Sequence, residues 1–219
     1  EIEASHAAAA LRWVRSEKAA VVTSIGPGAL QALAASLAPA SDGLGGWYLF
    51  GDETSEDEGY NMQQIPRREQ GLFLQLASTM GHAYSLHTPL ALSTALAHGA
   101  AAVDHPYRPS PFYLLLPMNT QAAWLEGFNL DELPETREIH PGPAEGNYHQ
   151  AAEWIHAARR VMVKVGGGGR SAGVQLHTLM ERTGGVLVHT PQASGSNHYT
   201  HPRNLTVGRS KGSLPPNFA

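Results

Sequence analysis

Residues 18–34, KAAVVTSIGPGALQALA, decide the fold of this chain. Within them, residues 19–23 form an apolar run too short for a helix, whereas the residues from Ala29 onward are strong helix formers. The Gly-Pro-Gly sequence at 26–28 separates the two, so the pattern predicts a strand, a tight turn and a helix. Ligands of open α/β sheets bind beyond the carboxyl ends of the strands. This turn is therefore the first candidate for a binding site, although Gly-Pro-Gly also occurs simply as a corner of the chain.

A helix of small residues is predicted upstream, over residues 1–11, which read EIEASHAAAAL. Small side chains let a helix approach a neighbouring backbone closely. Glu1 opens this helix. Its carboxylate either stabilises the positive end of the helix dipole or serves as a functional group beside the turn. Taken alone, the segment favours the first of these roles.

A glutamate that opens an alanine-rich helix, followed by a strand ending in T-S-x-G-P-G-A, resembles the pyrimidine-binding domain of thiamine-diphosphate enzymes. The similarity is strongest to the acetolactate synthase and pyruvate decarboxylase group. The E-x-x-A-x-x-A-A-x-G-Y-A pattern of these families is matched at Glu1, Ala4, Ala7 and Ala8, with Ala10 in place of the usual glycine. Residues 108–117, RPSPFYLLLP, are similar to the R-P-G-P-V-V-I-D-L-P segment that ends the domain in these families.

The resemblance implies a site and a reaction. Glu1 would be the catalytic carboxylate, bonded to a ring nitrogen of thiamine diphosphate and shielded from water by its helix. Gly26, Pro27 and Gly28 would form the cofactor-binding turn. The implied activity is that of a lyase or transferase that cleaves or forms a carbon–carbon bond on a 2-oxo acid or a dione. The adjacent His-His pair of the decarboxylase branch is absent, which argues against simple pyruvate decarboxylation.

The substrate pocket has two candidate positions within residues 61–71, NMQQIPRREQG. Acetolactate synthases carry a short F-Q-E beside the substrate at this place. Either Gln63 and Gln64 or Glu69 and Gln70 correspond to it. Glu69 is not assigned the catalytic role, because the glutamate of the family precedes the Gly-Pro-Gly turn.

No metal ligand is assigned in this chain. Potential ligands are the acidic side chains Glu53, Glu56, Asp57 and Glu58 and the histidines His82, His87 and His98. The crowded carboxylates predict a solvated turn after the strand at 46–50, because like charges repel unless a cation lies between them. The spacing of the histidines does not place them on one helix face, which argues against zinc.

A second α/β unit is predicted from residue 148. Its pattern gives a helix at 149–160, a strand at 161–165, a glycine-rich turn at 166–173, a helix at 174–183 and a strand at 186–189. This arrangement resembles the central domain of the same enzymes, which in some members holds FAD. Gly167, Gly168 and Gly169 are candidate nucleotide-binding residues, because G-x-G-x-x-A between a strand and a helix suits a pyrophosphate. Against this, the next strand ends in His189 rather than in an acidic residue.

The predicted fold class is therefore α/β. A parallel-sheet pyrimidine-binding domain, incomplete at its N-terminus, covers residues 1–120, a linker covers 121–147, and residues 148–219 form the first part of a truncated Rossmann-like central domain with two strands. In the first domain, residues 71–83 and 90–102 are predicted helices, with Thr88 as an N-cap, and 111–117 is a strand buried on both faces.

The diphosphate-binding domain of the family, which holds Mg²⁺ through G-D-G and a later Asn, has no counterpart in the sequence. We therefore expect a longer protein or a separate subunit to supply it. In the family the pyrimidine domain faces the diphosphate domain of another subunit, which implies a homodimer or homotetramer. Two alternatives stay open: a regulatory subunit that scaffolds a catalytic partner, and a flavin- or NAD-binding oxidoreductase.

Composition excludes several other classes. The 219 residues carry a net charge of −4 and no run of basic and aromatic residues, which argues against nucleic acid or an anionic membrane as partner. No apolar run is long enough to span a bilayer. The chain has no cysteine, which excludes a disulfide framework and a thiol nucleophile and fits a cytoplasmic protein.

Overall fold

The computed structural model of the chain describes residues 1–56, 69–129, 131 and 146–207. The chain divides into two compact units, Glu1–His140 and Pro141–Ala219. Each unit contains a parallel β-sheet with helices between its strands, so the predicted α/β class is confirmed. Within the described ranges, no helix is both long and apolar enough to cross a membrane.

The first unit is built around a four-stranded parallel sheet in the order β1-β2-β4-β3. Its strands are β1 (Ala20–Thr23), β2 (Gly46–Asp52), β3 (His82–Ser85) and β4 (Pro111–Pro117). Its helices are α1 (Ile2–Arg15), α2 (Pro27–Ala35), α3 (Leu37–Asp42), α4 (Leu72–Ser78), α5 (Leu92–Val103) and α6 (Met118–Gln121). Because the strands are parallel, all four carboxyl ends lie at one edge of the sheet.

Helices cover both faces of this sheet. On one face, side chains of β1, β2 and β4 pack against α2 and α4 in a core that includes Val21, Phe50 and Leu115. On the other face, β4 packs against α5 through Phe112 and Leu114. Strand β4 lies between β2 and β3, and every one of its residues except Leu116 is buried. The prediction that 111–117 is a strand buried on both faces is confirmed.

The predicted helix over residues 71–83 is wrong in its second half. Helix α4 ends at Ser78, and His82–Ser85 forms strand β3. Gly81 lets the chain come close to the neighbouring strand: a Cβ atom there would lie 3.3 Å from the carbonyl oxygen of Pro111. The apolar spacing of the region does not reveal so short a strand. Thr88 precedes a short 3₁₀ helix, Pro89–Ala91, without a side-chain capping bond, and α5 begins only after it.

The second unit contains three parallel strands in the order β5-β6-β7. The strands are β5 (Met162–Val165), β6 (Val186–His189) and β7 (Asn204–Val207), and the helices are α7 (Tyr148–Ala157) and α8 (Gly173–Thr183). The predicted helix, strand, turn, helix and strand are present, but the expectation of only two strands is wrong because β7 pairs with β6. The core is small and centres on Val165, Met180, Leu187 and Ala193. Helix α7 contributes no buried residue.

Candidate functional site

The Gly-Pro-Gly turn lies at the carboxyl edge of the first sheet, directly after β1. Gly26 has φ 71° and ψ −122°, a backbone conformation that favours glycine, and it is the N-cap of α2. Pro27 follows at the first helical position. An N–H group at that position has no partner within the helix, so its absence in proline costs no hydrogen bond. The strand thus ends at Thr23, as predicted, whereas the helix predicted from Ala29 onward begins two residues earlier, at Pro27.

Glu1 reaches this turn from the start of α1. A Cβ atom on Gly28 would lie 3.3 Å from Oε1 of Glu1 and 2.8 Å from Oγ of Ser24. Only a glycine leaves this space between the carboxylate and the turn. Glu1 is the N-cap of α1, yet its side chain makes no capping hydrogen bond, so helix capping does not occupy the carboxylate. The expectation that α1 shields this side chain is wrong, because Glu1 is exposed in the chain.

Ser5 fixes the main chain of Glu1. Its hydroxyl, which is fully buried, donates to the carbonyl oxygen of Glu1 at 2.9 Å. Ser5 also hydrogen-bonds Tyr48, a buried residue of β2. Burial, and to a lesser degree the neighbouring Tyr113, raises the pKa of Tyr48 to about 12, so its hydroxyl stays protonated at physiological pH. The neutral tyrosine therefore anchors the first turn of α1 on the sheet.

Two acidic residues lie at the end of β2, next to the same turn. A Cβ atom on Gly51 would lie 3.2 Å from the backbone nitrogen of Ile25, so the ends of β1 and β2 are in close contact. Asp52 follows, and burial raises the pKa of its carboxyl group. The charge of Glu53 adds to the increase, whereas the Glu53 N–H, which donates to Asp52 Oδ1 at 3.0 Å, and His87 oppose it.

The prediction of a solvated acidic turn is wrong at Glu53. Its side chain is buried, with 4% of its surface exposed. The run of charges predicted a solvent-exposed turn, but β2 continues to Asp52 and turns the next residue inward. Glu56 is exposed as expected, and Asp57 and Glu58 lie outside the described residues.

The loop after β2 is held by Asn119, which follows β4 and which sequence reasoning missed. Its Oδ1 accepts a bond from the Ser55 N–H at 3.0 Å, and Nδ2 donates to Ser55 Oγ at 3.0 Å. Gln70 donates from Nε2 to the carbonyl oxygen of Thr54 at 2.8 Å. Of the predicted pocket residues, Gln70 thus supports the loop and Glu69 is exposed, whereas Gln63 and Gln64 lie outside the described residues.

The glycine-rich turn of the second unit connects β5 to α8, as predicted, but three of its N–H groups are already bonded. Gly167–Gly169 forms a short 3₁₀ helix. The N–H groups of Gly169, Arg170 and Ala172 donate to carbonyl oxygens of the same turn at 2.9–3.2 Å. Ala172 is the N-cap of α8. A pyrophosphate would have to compete with these bonds, and no observation favours nucleotide binding here.

The second unit matches the family model described as thiamine pyrophosphate enzyme, central domain, over residues 148–219. The matched range begins at Tyr148, where α7 begins and where the sequence predicted the second domain. No curated protein sequence matches the chain significantly.

Proposed function

We propose, from the match of residues 148–219 to the central domain of thiamine pyrophosphate enzymes, that this chain serves a thiamine-diphosphate-dependent reaction at the Glu1 turn. The reaction proposed is carbon–carbon bond cleavage or carboligation on a 2-oxo acid or a dione, of the acetolactate-synthase-like type. In this proposal residues 1–120 are the pyrimidine-binding domain, residues 121–147 are a linker, and residues 148–219 belong to the central domain.

The observation that carries the proposal is the approach of the Glu1 carboxylate to Gly28 at the carboxyl edge of the sheet. Oε1 lies 3.3 Å from the position a Cβ atom would take on Gly28, and the side chain is exposed rather than engaged in capping. A flat ring with a hydrogen-bonding nitrogen suits this combination of an accessible carboxylate and a backbone turn without side chains. The residues present therefore fit the pyrimidine end of thiamine diphosphate.

When bound, thiamine diphosphate supplies the electron sink for breaking or forming a carbon–carbon bond beside a carbonyl. The residues of the chain would orient this cofactor and hold one proton at a pyrimidine nitrogen. Glu1 would share a hydrogen bond with a pyrimidine nitrogen, while Gly26, Pro27 and Gly28 would lie along the ring. Ser5 and Tyr48 keep Glu1 in place, and Tyr48 stays protonated near neutral pH. Mg²⁺ and the diphosphate would be held by a domain outside these residues.

The acidic pair at the end of β2 suggests a polar wall for the substrate side of the site. Asp52 has a raised pKa and lies beside the β1 turn through Gly51. The polar side chain of Asp52 at this edge of the sheet supports a polar substrate, such as a 2-oxo acid or a dione, over an apolar one.

The proposal is tested with Glu1→Gln in the complete protein that carries this chain, assayed with thiamine diphosphate, Mg²⁺ and 2-oxo acids. Proton transfer by a positioned carboxylate contributes about 10²–10⁴-fold, so we expect turnover to fall by that factor. Cofactor binding, followed by circular dichroism, should weaken far less. Glu3→Gln is the matched control, because Glu3 is an exposed carboxylate on the same helix.

Equal turnover of Glu1→Gln and Glu3→Gln would refute the catalytic role of Glu1. Absence of turnover in the parent protein as well, with normal folding, would support the scaffolding subunit instead. Yellow flavin absorbance of the purified protein, or stabilisation by NAD but not by thiamine diphosphate, would support an oxidoreductase that uses Gly167–Gly169.

A further inference from the structure

The second unit brings three metal-ligating side chains together, none of them a residue of the glycine-rich turn. His177 and Glu181 lie one turn apart on α8, and His201 lies in the segment that precedes β7. Their potential ligand atoms are all within 4.8 Å of one another. His201 Nε2 is 3.8 Å from Oε1 of Glu181, and the two imidazole rings meet edge to face with centroids 5.2 Å apart.

Main-chain and side-chain bonds hold His201 against the helix. Arg203 donates from Nη1 to the carbonyl oxygen of Met180 at 2.6 Å, and Met180 is fully buried in the core. Asn204, the first residue of β7, donates its N–H to the carbonyl oxygen of His201 at 2.9 Å. The segment that carries His201 is therefore tied to α8 at one side and to the sheet at the other.

The donor set is one that binds transition metals. Two imidazole nitrogens and one carboxylate oxygen are ligands for Zn²⁺, at about 2.0–2.2 Å each. A tetrahedral ion at those bond lengths separates its ligand atoms by about 3.3 Å. Glu181 has a side chain that is 52% exposed, so it has room to close the remaining gap by rotation. It lies in the last turn of α8, where the helix dipole favours a positive charge.

We propose that His177, Glu181 and His201 form a binding site for a divalent transition-metal ion, with Zn²⁺ as the probe that fits its donors best. Three protein ligands leave one position for water or another small ligand. The ion would link α8 to the segment before β7, and so stabilise a unit whose core is small. This site is independent of the proposed thiamine chemistry and of its Mg²⁺.

Binding has a defined effect on His201. In the structure the Arg203 N–H donates to Nδ1 of His201 at 3.2 Å, so the proton of the neutral ring is on Nε2. Coordination through Nε2 requires that nitrogen to be free of its proton. The proton therefore moves to Nδ1, and the bond from Arg203 is given up. The loss of this bond lowers the affinity for the ion. It also changes the surroundings of the His201 ring and of the Arg203 N–H, which a spectroscopic measurement can follow.

The sequence signal for this site was weak. The i, i+4 spacing of His177 and Glu181 places them on one helix face, but the third ligand is distant in sequence and comes near only because β7 joins the sheet. The sequence analysis predicts two strands in this unit rather than three. It therefore lacks β7, the strand that brings His201 close to α8.

The test is titration of the full chain, free of any affinity tag, with Zn²⁺ by calorimetry and with Co²⁺ by visible absorption. We expect one ion per chain, a tetrahedral Co²⁺ spectrum, a higher melting temperature with Zn²⁺, and a shift of the Arg203 amide resonance. His177→Gln and His201→Gln should each weaken binding by more than about tenfold, the least that loss of even an outer-shell partner causes.

The matched control is His156→Gln, since His156 is an exposed histidine on the other helix of the unit and lies outside the cluster. It should bind Zn²⁺ as the parent does. Glu181→Gln provides a further variant at an exposed position should His201→Gln fold poorly. Absence of Zn²⁺ binding by the parent chain, or equal binding by the parent and both histidine variants, would overturn the proposal and leave the group as a surface ion pair.

Discussion

Oε1 of Glu1 lies 3.3 Å from the point at which a side chain on Gly28 would begin. A methyl group there would also meet Ser24 Oγ at 2.8 Å. We therefore predict that Gly28→Ala displaces the carboxylate by a few tenths of an ångström and lowers turnover by up to about 10²-fold, the scale on which small misplacements act. Steady-state kinetics of the complete, cofactor-loaded protein measures the effect.

The double variant Ser24→Ala/Gly28→Ala separates this effect from instability. Removal of the Ser24 hydroxyl clears the closer contact, and alanine in a helix is favoured over glycine by about 0.5–1 kcal/mol. Stability should therefore recover while turnover stays low. Recovery of both would show that the contact with Glu1 has no catalytic consequence.

A buried pair of hydroxyl groups joins the end of α2 to the central strand. Ser36 Oγ and Tyr113 Oη are 2.5 Å apart, and Ser36 also donates to the carbonyl oxygen of Leu33 at 2.6 Å. Tyr113 must then be the donor of the pair. Ser36→Ala leaves a buried phenol donor unpaired and should destabilise the chain by about 1–3 kcal/mol, whereas Tyr113→Phe should cost only about 0.5–1.5 kcal/mol.

Urea unfolding of the two single variants and of Ser36→Ala/Tyr113→Phe measures this asymmetry. The double variant removes both polar groups, so its loss should be smaller than the sum of the two single losses. Equal losses in the two single variants would contradict the assignment of Tyr113 as the donor, and strictly additive losses would show that the two hydroxyl groups do not interact.

Ionisation of Asp52 should lower the free energy of unfolding as pH rises above 3.8, the ordinary pKa of this group. Burial raises its pKa from an ordinary value of 3.8, so the folded state binds the proton more tightly. Stability is therefore lost between 3.8 and the higher folded pKa, and the loss persists above it. Asp52→Asn stays uncharged and still accepts the Glu53 N–H.

We expect Asp52→Asn to match the parent in stability at pH 3, to exceed it by a growing amount between 3.8 and the folded pKa, and to keep a constant advantage from there to neutral pH. Urea midpoints at several pH values provide the measurement. A difference that is constant across this range would show that the carboxyl group is not perturbed by burial.

Asp104 holds the end of α1 and the segment before β1 to the end of α5. It contacts Arg12 at 3.2 Å and Lys18 at 2.8 Å, and its own side chain is 13% exposed. Because Lys18 is well exposed, we predict a loss of only about 1 kcal/mol for Asp104→Asn, decreasing with added salt. Glu17→Gln is the control: the Arg15–Glu17 pair is exposed on both sides and should contribute nothing measurable.

The sequence predicted the fold where local signals agreed with burial. Strand β4 is apolar along its length, and it lies in the middle of the sheet, where both of its faces are buried. Its apolar run was therefore a reliable signal of a buried strand. The turn at Gly26 was predictable because positive φ and a proline at the first helical position require specific residues. Strand β3 was not predictable from its own residues, because its pairing with β4 rather than its composition makes it a strand.

The candidate site was predictable only in part. Glu1 and the glycine turn carry a recognisable spacing, so their proximity could be expected. The burial of Glu53 and the bonds of Asn119 to Ser55 depend on where β2 and β4 end in space, which local sequence does not encode. Charge patterns predict solvation, and they fail where a strand end directs a carboxylate inward.

The position of β4 between β2 and β3 has a consequence for synthesis of the chain on the ribosome. Strands β2 and β3 leave the exit tunnel before β4, and they do not pair with each other. The edges that pair with β4 therefore have no partner until Pro111–Pro117 leaves the tunnel. The nascent chain must therefore keep two unpaired strand edges from associating with other molecules during that interval. A translational pause before this segment leaves the tunnel would lengthen the exposure, and a pause after its release would not.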